Sequence, residues 1–153
     1  MFCPVSGFPN YIINNEGVII KKNGHEMKHS IFNGYHHVTL TNGIQQDFKI
    51  HRLVYQHFGN DWNPKMTVDH RDCIKSNNHI SNLRMATRQQ QVFNRKAFNK
   101  LGVKGVCMDG NKYRARIKIN GKQSHLGTFE TVEEASLAYQ TKAKELHGEF
   151  FRN

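Results

Sequence analysis

The strictest pattern in the chain is the segment Lys112–Ile119, in which basic and apolar side chains alternate without a break. Successive side chains of a β-strand point to opposite faces, so this segment predicts a strand with one basic face and one apolar face. Asn120-Gly121 is a strong hairpin signal and predicts a further strand from Lys122 to Phe129. After Thr131, apolar residues recur at helical spacing. We therefore expect a sheet over residues 103–129 whose apolar face is covered by the last helix.

The basic face of this predicted sheet is left outside. Such a row of cations favours contact with DNA, chiefly by neutralising phosphates and in part by arginine reading bases. The candidate DNA-binding residues are Lys112, Arg114, Arg116 and Lys118 on this face, with Lys104 and Lys122 on the flanking strands.

The charge of the whole chain agrees with a polyanionic partner, because its formal net charge is +10. Nucleic acid is the first expectation and an anionic membrane surface the second. We expect no membrane association, since no apolar run approaches the ~20 residues of a spanning helix. Cys3, Cys73 and Cys107 form no CxxC pair, which fits a reducing compartment such as the cytoplasm of a bacterial host.

The first part of the chain has short β-prone runs separated by turns, among them Tyr35–Leu40 before Asn42-Gly43. The segment His51–Phe58 then places its apolar residues on one stripe of a short helix. We expect an α+β protein with three parts: a small antiparallel module over residues 1–50, a core over 51–98 and a DNA-binding module over 99–153.

The chemistry is expected at the adjacent pair Asp69 and His70, in a polar segment that contributes little to a core. Hydrolysis of a phosphodiester needs an activated water and a cation that neutralises developing charge, and this pair offers a general base and a hard oxygen ligand. Asn82 follows twelve residues after His70, and Gln91 nine residues later. Gln91 falls in the first turn of a helix that the T-x-x-Q pattern at Thr87 predicts, running toward Phe98.

Over roughly residues 50–95, the motifs Val68-Asp69-His70, Asn77–Arg84 and Ala86-Thr87-Arg88 resemble the ββα-metal fold of HNH homing endonucleases, which are common in phages. The resemblance implies that Asp69 binds the metal, that His70 deprotonates water and that Asn82 hydrogen-bonds backbone to hold the hairpin. The third family position is a His or Asn that binds the metal, and here spacing places Gln91 there. Asn94, one helical turn further, is the alternative ligand.

Two further resemblances flank this core. Gly7–Tyr11, Asn15–Val18 and His51–Val54 resemble the nuclease-associated module that precedes HNH cores. Residues 100–150 resemble the DNA-binding domain of the APETALA2 and ethylene-response-factor class, through Tyr113–Ile117 and Leu126–Phe129 among other segments. In that class a three-stranded sheet enters the major groove and a helix backs it.

The remaining polar residues have more than one interpretation. Arg84, beside the site, is expected either to clamp a phosphate or to pair structurally. His51 and His79 stay open between structural and functional roles. The other histidines that we considered are expected to be surface or capping residues: His25, His29, His36, His37, His57 and His147.

The sequence thus predicts an endonuclease that cuts double-stranded DNA with one Mg²⁺ or Mn²⁺ per active site and that works as a monomer or homodimer. As the family implies, each site would cut one strand and leave 5′-phosphate and 3′-hydroxyl ends. The rival hypothesis is a non-cleaving DNA-binding or regulatory protein that keeps this scaffold but has lost its metal at the Gln91 position.

Overall fold

The computed structural model describes residues 1–94, 97, 99–119 and 121–151 and divides the chain into two compact units, Met1–Arg88 and Gln89–Asn153. Its described part consists of small antiparallel sheets with few helices, which confirms the expected α+β class. The three-part division predicted from the sequence, at residues 50 and 98, stays a prediction.

The first unit opens with two three-stranded antiparallel sheets joined in sequence order. The first contains β1 (Phe2–Val5), β2 (Phe8–Asn14) and β3 (Ile19–Lys21), and the second contains β4 (Ser30–Phe32), β5 (Tyr35–Thr41) and β6 (Gln45–Lys49). The strand expected at Tyr35–Leu40 is therefore present as β5, and β1 and β4 were not predicted.

Helix α1 (Ile50–Phe58) follows and confirms the helix expected at His51–Phe58. Beyond it, β7 (Thr67–His70) pairs antiparallel with β8 (Leu83–Ala86), and a short 3-10 turn, Ile80–Asn82, leads into β8. One hydrophobic core joins these elements to the two sheets, since Ile13, Leu40, Val54 and Val68 belong to a single buried cluster. The N-terminal module thus packs on the hairpin that bears the Asp-His pair.

Helix α2 (Arg88–Asn94) begins one residue after Thr87, as its predicted start requires. Of the expected continuation to Phe98, residues 95, 96 and 98 lie outside the described residues, and Ala97 is not in a helix. The C-terminal sheet has the order β11-β10-β9, with β9 (Val106–Asp109), β10 (Lys112–Ile119) and β11 (Lys122–Phe129) all antiparallel.

Helix α3 (Val132–His147) begins with a capping box in which Thr131 and Glu134 exchange hydrogen bonds. Its Ala135, Tyr139 and Ala143 are buried against the apolar face of β10, where Ala115 and Ile117 are 0% and 2% exposed. The predicted sheet backed by one helix is thus present. None of the described helices is long and apolar enough to cross a membrane.

Candidate active site

The hairpin β7–β8 presents the predicted Asp-His pair at the end of β7. Asp69 pairs in register with Arg84, and His70 with Leu83. Both side chains are largely buried, with exposures of 8% for Asp69 and 5% for His70. Because neighbouring residues on a strand point to opposite faces, the carboxylate and the imidazole do not compete for the same space.

Asp69 forms a buried ion pair across the hairpin, because Arg84 Nε donates to its Oδ2 over 3.1 Å. Arg84 is 5% exposed, which leaves little surface for a phosphate contact. Of the two roles expected for Arg84, the structure therefore shows the pairing one, and its contact with DNA stays a prediction. Burial strengthens such a charge-assisted bond, so Arg84 orients the carboxylate.

His70 is held through its Nε2, which lies 3.3 Å from Oδ1 of Asn78, itself 5% exposed. Burial lowers the pKa of His70 below its usual 6.5, against opposing contributions from Asn78, Asp72 and Asp69 that favour the charged form. A neutral imidazole is the form that can accept a proton at neutral pH.

Asn82 ties the loop between β7 and β8 to the hairpin. Its Oδ1 accepts from the backbone N–H of Asp72 at 3.1 Å, and its Nδ2 donates to the backbone carbonyl of Asn77 at 2.8 Å and to Asp72 Oδ1 at 3.0 Å. Burial alone would raise the pKa of Asp72, but hydrogen bonds from Ile74, Asn77 and Asn82 outweigh it and lower the pKa. The bonds that the Asn82 side chain forms with the backbone of Asp72 and Asn77 are of the kind that the resemblance implied for Asn82.

Two rings that the sequence did not assign to the site lie against His70. The His51 ring meets it edge to face with centroids 5.0 Å apart, and Tyr35 lies 6.0 Å from His70 and 5.1 Å from His51. The ammonium groups of Lys49 and Lys75 lie 5.0 and 4.6 Å from the centre of the Tyr35 ring. No pattern in the local sequence indicates this cluster, because its members come from β5, β6, α1 and the loop after β7.

The remaining predicted metal ligands are the amides on α2. Gln91 is half-buried and Asn94 is 3% exposed. The described residues contain no group of three or more His, Cys, Asp or Glu side chains arranged to hold a metal. A single carboxylate with an amide oxygen still suits Mg²⁺, which retains several waters and is often held by one or two carboxylates together with substrate phosphates.

In the C-terminal sheet, the structure confirms the alternation expected of β10. Lys112, Arg114, Arg116 and Lys118 are exposed on one face, while Ala115 and Ile117 are buried on the other. Two of the four have acidic partners, because Lys112 Nζ donates to Glu130 at 2.6 Å and Arg114 pairs with Asp109. We call these four residues of β10 the basic face.

Of the two flanking lysines, Lys104 is placed differently from the prediction, whereas Lys122 lies on the predicted strand. Lys104 lies in the turn before β9, not on a strand, and its Nζ donates to the Phe93 carbonyl at 2.8 Å. Lys122 is on β11 but pairs in register with Ile119, and cross-strand partners share a face. The register therefore places Lys122 on the side opposite the basic face, which the sequence alone did not reveal.

A buried Asp-His pair on a two-stranded hairpin, with a loop bonded by Asn82, is the arrangement that the resemblance to HNH endonucleases implied. A family model described as HNH endonuclease matches residues 48–92. The chain is 38% identical over 67% of its length to the uncharacterized HNH endonuclease L560 of Acanthamoeba polyphaga mimivirus, covering 54% of that protein. It is 36% identical over 61% of its length to DNA endonuclease I-HmuI of Bacillus phage SP01, covering 56% of that protein.

Protein 3.8 of Escherichia phage T7 is 30% identical over 56% of this chain, which covers 73% of that protein. A solved structure described as DNA binding and cleavage by the HNH homing endonuclease I-HmuI superposes with a TM-score of 0.59 at 25% identity, covering 96% of this chain and 91% of that one. The chain is thus similar to HNH endonucleases, and the family model matches it over residues 48–92. It spans about half the length of curated relatives such as L560 and I-HmuI.

Proposed function

We propose that this protein is a DNA endonuclease of the homing type that hydrolyses phosphodiester bonds with His70 as its general base. The observation that supports this most directly is the state of His70. It is buried on a rigid hairpin beside Asp69, and burial lowers its pKa, so the imidazole is neutral and ready to accept a proton from water. A relative, I-HmuI, is named a DNA endonuclease.

Asp69 and Gln91 are the residues that we propose to hold one divalent cation. Their carboxylate and amide oxygens are hard ligands, which fits Mg²⁺ or Mn²⁺. When bound, the cation would neutralise charge that builds on the phosphate and on the leaving oxygen. Arg84 keeps the Asp69 carboxylate oriented by its 3.1 Å bond, and Asn82 keeps the loop after His70 in place. The role of Gln91 rests on sequence spacing.

The basic face of β10 is the proposed contact for double-stranded DNA. Four cations on one exposed sheet face, on a chain with a net charge of +10, support a surface that neutralises phosphates. The likeness of residues 100–150 to the APETALA2 class, in which a sheet enters the major groove, supports the same placement. One active site would cut one strand, so a monomer would nick and a double-strand break would need two copies or two encounters.

The test is incubation of supercoiled plasmid with the protein and Mg²⁺ or Mn²⁺. We expect conversion to the nicked form by the wild type, no conversion in EDTA and none with His70→Ala. His25→Ala, which removes an exposed histidine from the same unit, is the matched control and should cleave normally. Failure of the wild type to nick phage or host DNA at any metal concentration, with tight DNA binding intact, would exclude the enzyme.

The metal ligand on α2 is tested by changing the two amides separately. We expect Gln91→Ala to raise the Mg²⁺ concentration needed for half-maximal cleavage, and Asn94→Ala to leave that concentration unchanged. Thermal unfolding of each variant checks that α2 remains folded, since Asn94 is buried. The assignment of Gln91 is wrong if Asn94→Ala raises the Mg²⁺ concentration needed for half-maximal cleavage and Gln91→Ala does not.

The second candidate is a DNA-binding protein that does not cleave. It is favoured by the presence of Gln91 where the family has His or Asn, and by the engagement of Asp69 with Arg84. This protein would bind DNA with the same salt dependence in the presence and absence of Mg²⁺, and Gln91→Asn would then be expected to restore metal-dependent nicking.

A further inference from the structure

An exposed aromatic ring stands at one end of the second N-terminal sheet. Phe32, the last residue of β4, is 65% exposed, although phenyl side chains are more often buried. Single apolar residues at a protein surface are common, so exposure alone does not indicate a function. What distinguishes Phe32 is its position relative to the Asp-His hairpin and to two exposed lysines.

Strand register places Phe32 on the outer face of its sheet. Phe32 pairs with Tyr35, and cross-strand partners share a face. The other face of β5 is turned to the hydrophobic core, because Val38 and Leu40 are 2% and 0% exposed and belong to the buried cluster. His37 lies on the same face as Tyr35, and its ring meets Phe32 edge to face with centroids 6.1 Å apart. The Phe32 ring therefore projects from the side of the sheet that the core does not use.

The turn that follows Phe32 is short and held in place. Asn33 and Gly34 both have a positive φ, 51° and 80°, as the two central residues of a type I′ hairpin turn do. Lys75 Nζ donates to the Asn33 carbonyl at 2.8 Å, and a Cβ added at Gly34 would approach the Lys75 side chain to 3.1 Å. Glycine thus lets the loop after β7 lie against the turn, which fixes the backbone that carries Phe32.

Phe32 also lies next to the candidate active site. Tyr35, its partner in register, is 6.0 Å from His70 and 5.1 Å from His51 between ring centroids. A duplex with a phosphate at His70 would therefore bring its neighbouring base pairs close to the Phe32 ring.

The charges around the ring favour DNA as its partner. The ammonium groups of the exposed Lys49 and Lys75 lie 5.0 and 4.6 Å from the centre of the Tyr35 ring, and Asp47 on the same sheet is paired with His37 at 2.6 Å. In a duplex, phosphates flank the stacked bases, so cations beside an apolar ring match both parts. A second copy of this chain on the edge strand β4 would instead bring like charges together, on a chain with a net charge of +10.

We propose that Phe32 is an apolar wedge that enters between two stacked base pairs of duplex DNA, while Lys49 and Lys75 bind the phosphates beside that step. Proteins that insert a phenylalanine in this way unstack the step and kink the duplex. The placement of this step beside the cut rests on the proposed function. The insertion itself does not, because it is measured without cleavage.

Unwinding of a relaxed closed-circular plasmid measures the insertion. The full-length protein is incubated with the plasmid and a metal-independent type I topoisomerase in EDTA, and the linking number is read after the protein is removed. We expect the wild type and Phe32→Trp to lower the linking number, and Phe32→Ala to lose most of this effect at equal bound protein. Ile44→Ala removes another exposed apolar side chain, in the turn at the opposite end of β5, and should match the wild type.

Two results of this assay would overturn the proposal. One is an unchanged linking number with the wild type bound, and the other is a wild-type effect in Phe32→Ala. Sedimentation velocity of the protein alone tests the alternative partner. A dimer that Phe32→Ala dissociates would assign the ring to a second copy of the chain, and the wedge would be wrong.

Nicking of supercoiled and relaxed closed circles provides the second measurement. Negative supercoiling already favours unwinding, so loss of a wedge should slow the cutting of relaxed plasmid more. The loss of one base–aromatic contact corresponds to about a 5- to 150-fold change. We expect Phe32→Ala to lower the rate on relaxed plasmid by a factor in this range, and by less on supercoiled plasmid. Equal losses on the two substrates would contradict the wedge. A wild type that unwinds DNA without nicking it would exclude the proposed function and leave the wedge in place.

Discussion

At the scale of single residues, the surroundings of His51 differ from what its neighbours in sequence suggest. It lies in the first turn of a short amphipathic helix, yet it is 4% exposed and packs edge to face on His70. Within the described part of the chain, no group hydrogen-bonds to its Nδ1, which is buried. A buried imidazole of this kind is stable only while it is uncharged.

His51 should make the stability of the first unit depend on pH. Its folded pKa of about 3 lies below the usual 6.5, so the unfolded chain binds a proton first as the pH falls. The free energy of unfolding is therefore highest above pH 6.5 and decreases by up to about 1.4 kcal/mol per pH unit below it. We expect His51→Phe, which keeps a ring and removes the titrating group, to make this decrease shallower.

Urea unfolding at pH 7, 6 and 5 measures the effect, with the exposed His25→Phe as the matched control. Identical pH dependence in His51→Phe and the wild type would show that His51 is not responsible.

At the scale of elements, α3 depends on its N-terminal cap because the core beneath it is small. The buried clusters under α3 consist of few residues, among them Val106, Ala115, Ala135 and Tyr139. Thr131 accepts from the Glu134 N–H at 3.2 Å, and Glu134 accepts in return from the Thr131 N–H at 3.3 Å. The cap therefore satisfies backbone N–H groups at the start of α3 that would otherwise lack a partner within the helix.

We expect Thr131→Ala to lower the free energy of unfolding of the second unit by about 1 kcal/mol, the usual cost of losing an N-cap. Thr141→Ala removes an exposed threonine from the middle of the same helix and should have a much smaller effect. Urea unfolding followed by the circular dichroism of the helix compares the two. Equal losses would mean that the cap contributes nothing specific.

The strands that the sequence missed differ from those it revealed by their surroundings. β10 alternates between an exposed and a buried face, and the same alternation is visible in its residue types. β4 is exposed at all three positions, so it carries no such signal. β1 contains Pro4, which argues against a strand, but β1 is at the edge of its sheet, where the missing N–H is tolerated.

At the scale of the whole molecule, the net charge of +10 predicts salt-dependent DNA binding but not the surface that provides it. The basic face is tested by Arg114→Gln with Arg116→Gln, against Lys142→Gln with Lys144→Gln on α3, which removes the same charge. We expect the first pair to flatten the slope of log K against log salt by up to about 1.8, at about 0.9 for each phosphate that the variant no longer neutralises. The α3 pair should change the slope little.

Fluorescence anisotropy with a labelled duplex at several salt concentrations gives both slopes. Equal changes in the two double variants would mean that the protein responds to total charge, and that DNA does not bind at the basic face.

The amino-acid sequence by itself determined the α+β class, helices α1 and α3, the alternating strand β10 and the candidate set Asp69, His70 and Asn82. Each of these follows from spacing and side-chain type within a few turns or strands, because local periodicity reflects which face is buried. The family motif extended this to Gln91, and that assignment remains a prediction.

The tertiary structure alone decided what surrounds those residues. It paired Arg84 with Asp69, placed Lys122 away from the basic face and brought Tyr35, His51 and Asn78 against His70. Strand register and contacts between elements depend on partners that are distant in sequence, and local periodicity does not identify those partners. The environment of His70 is therefore a product of how β5, α1 and the loop after β7 pack around one shared core.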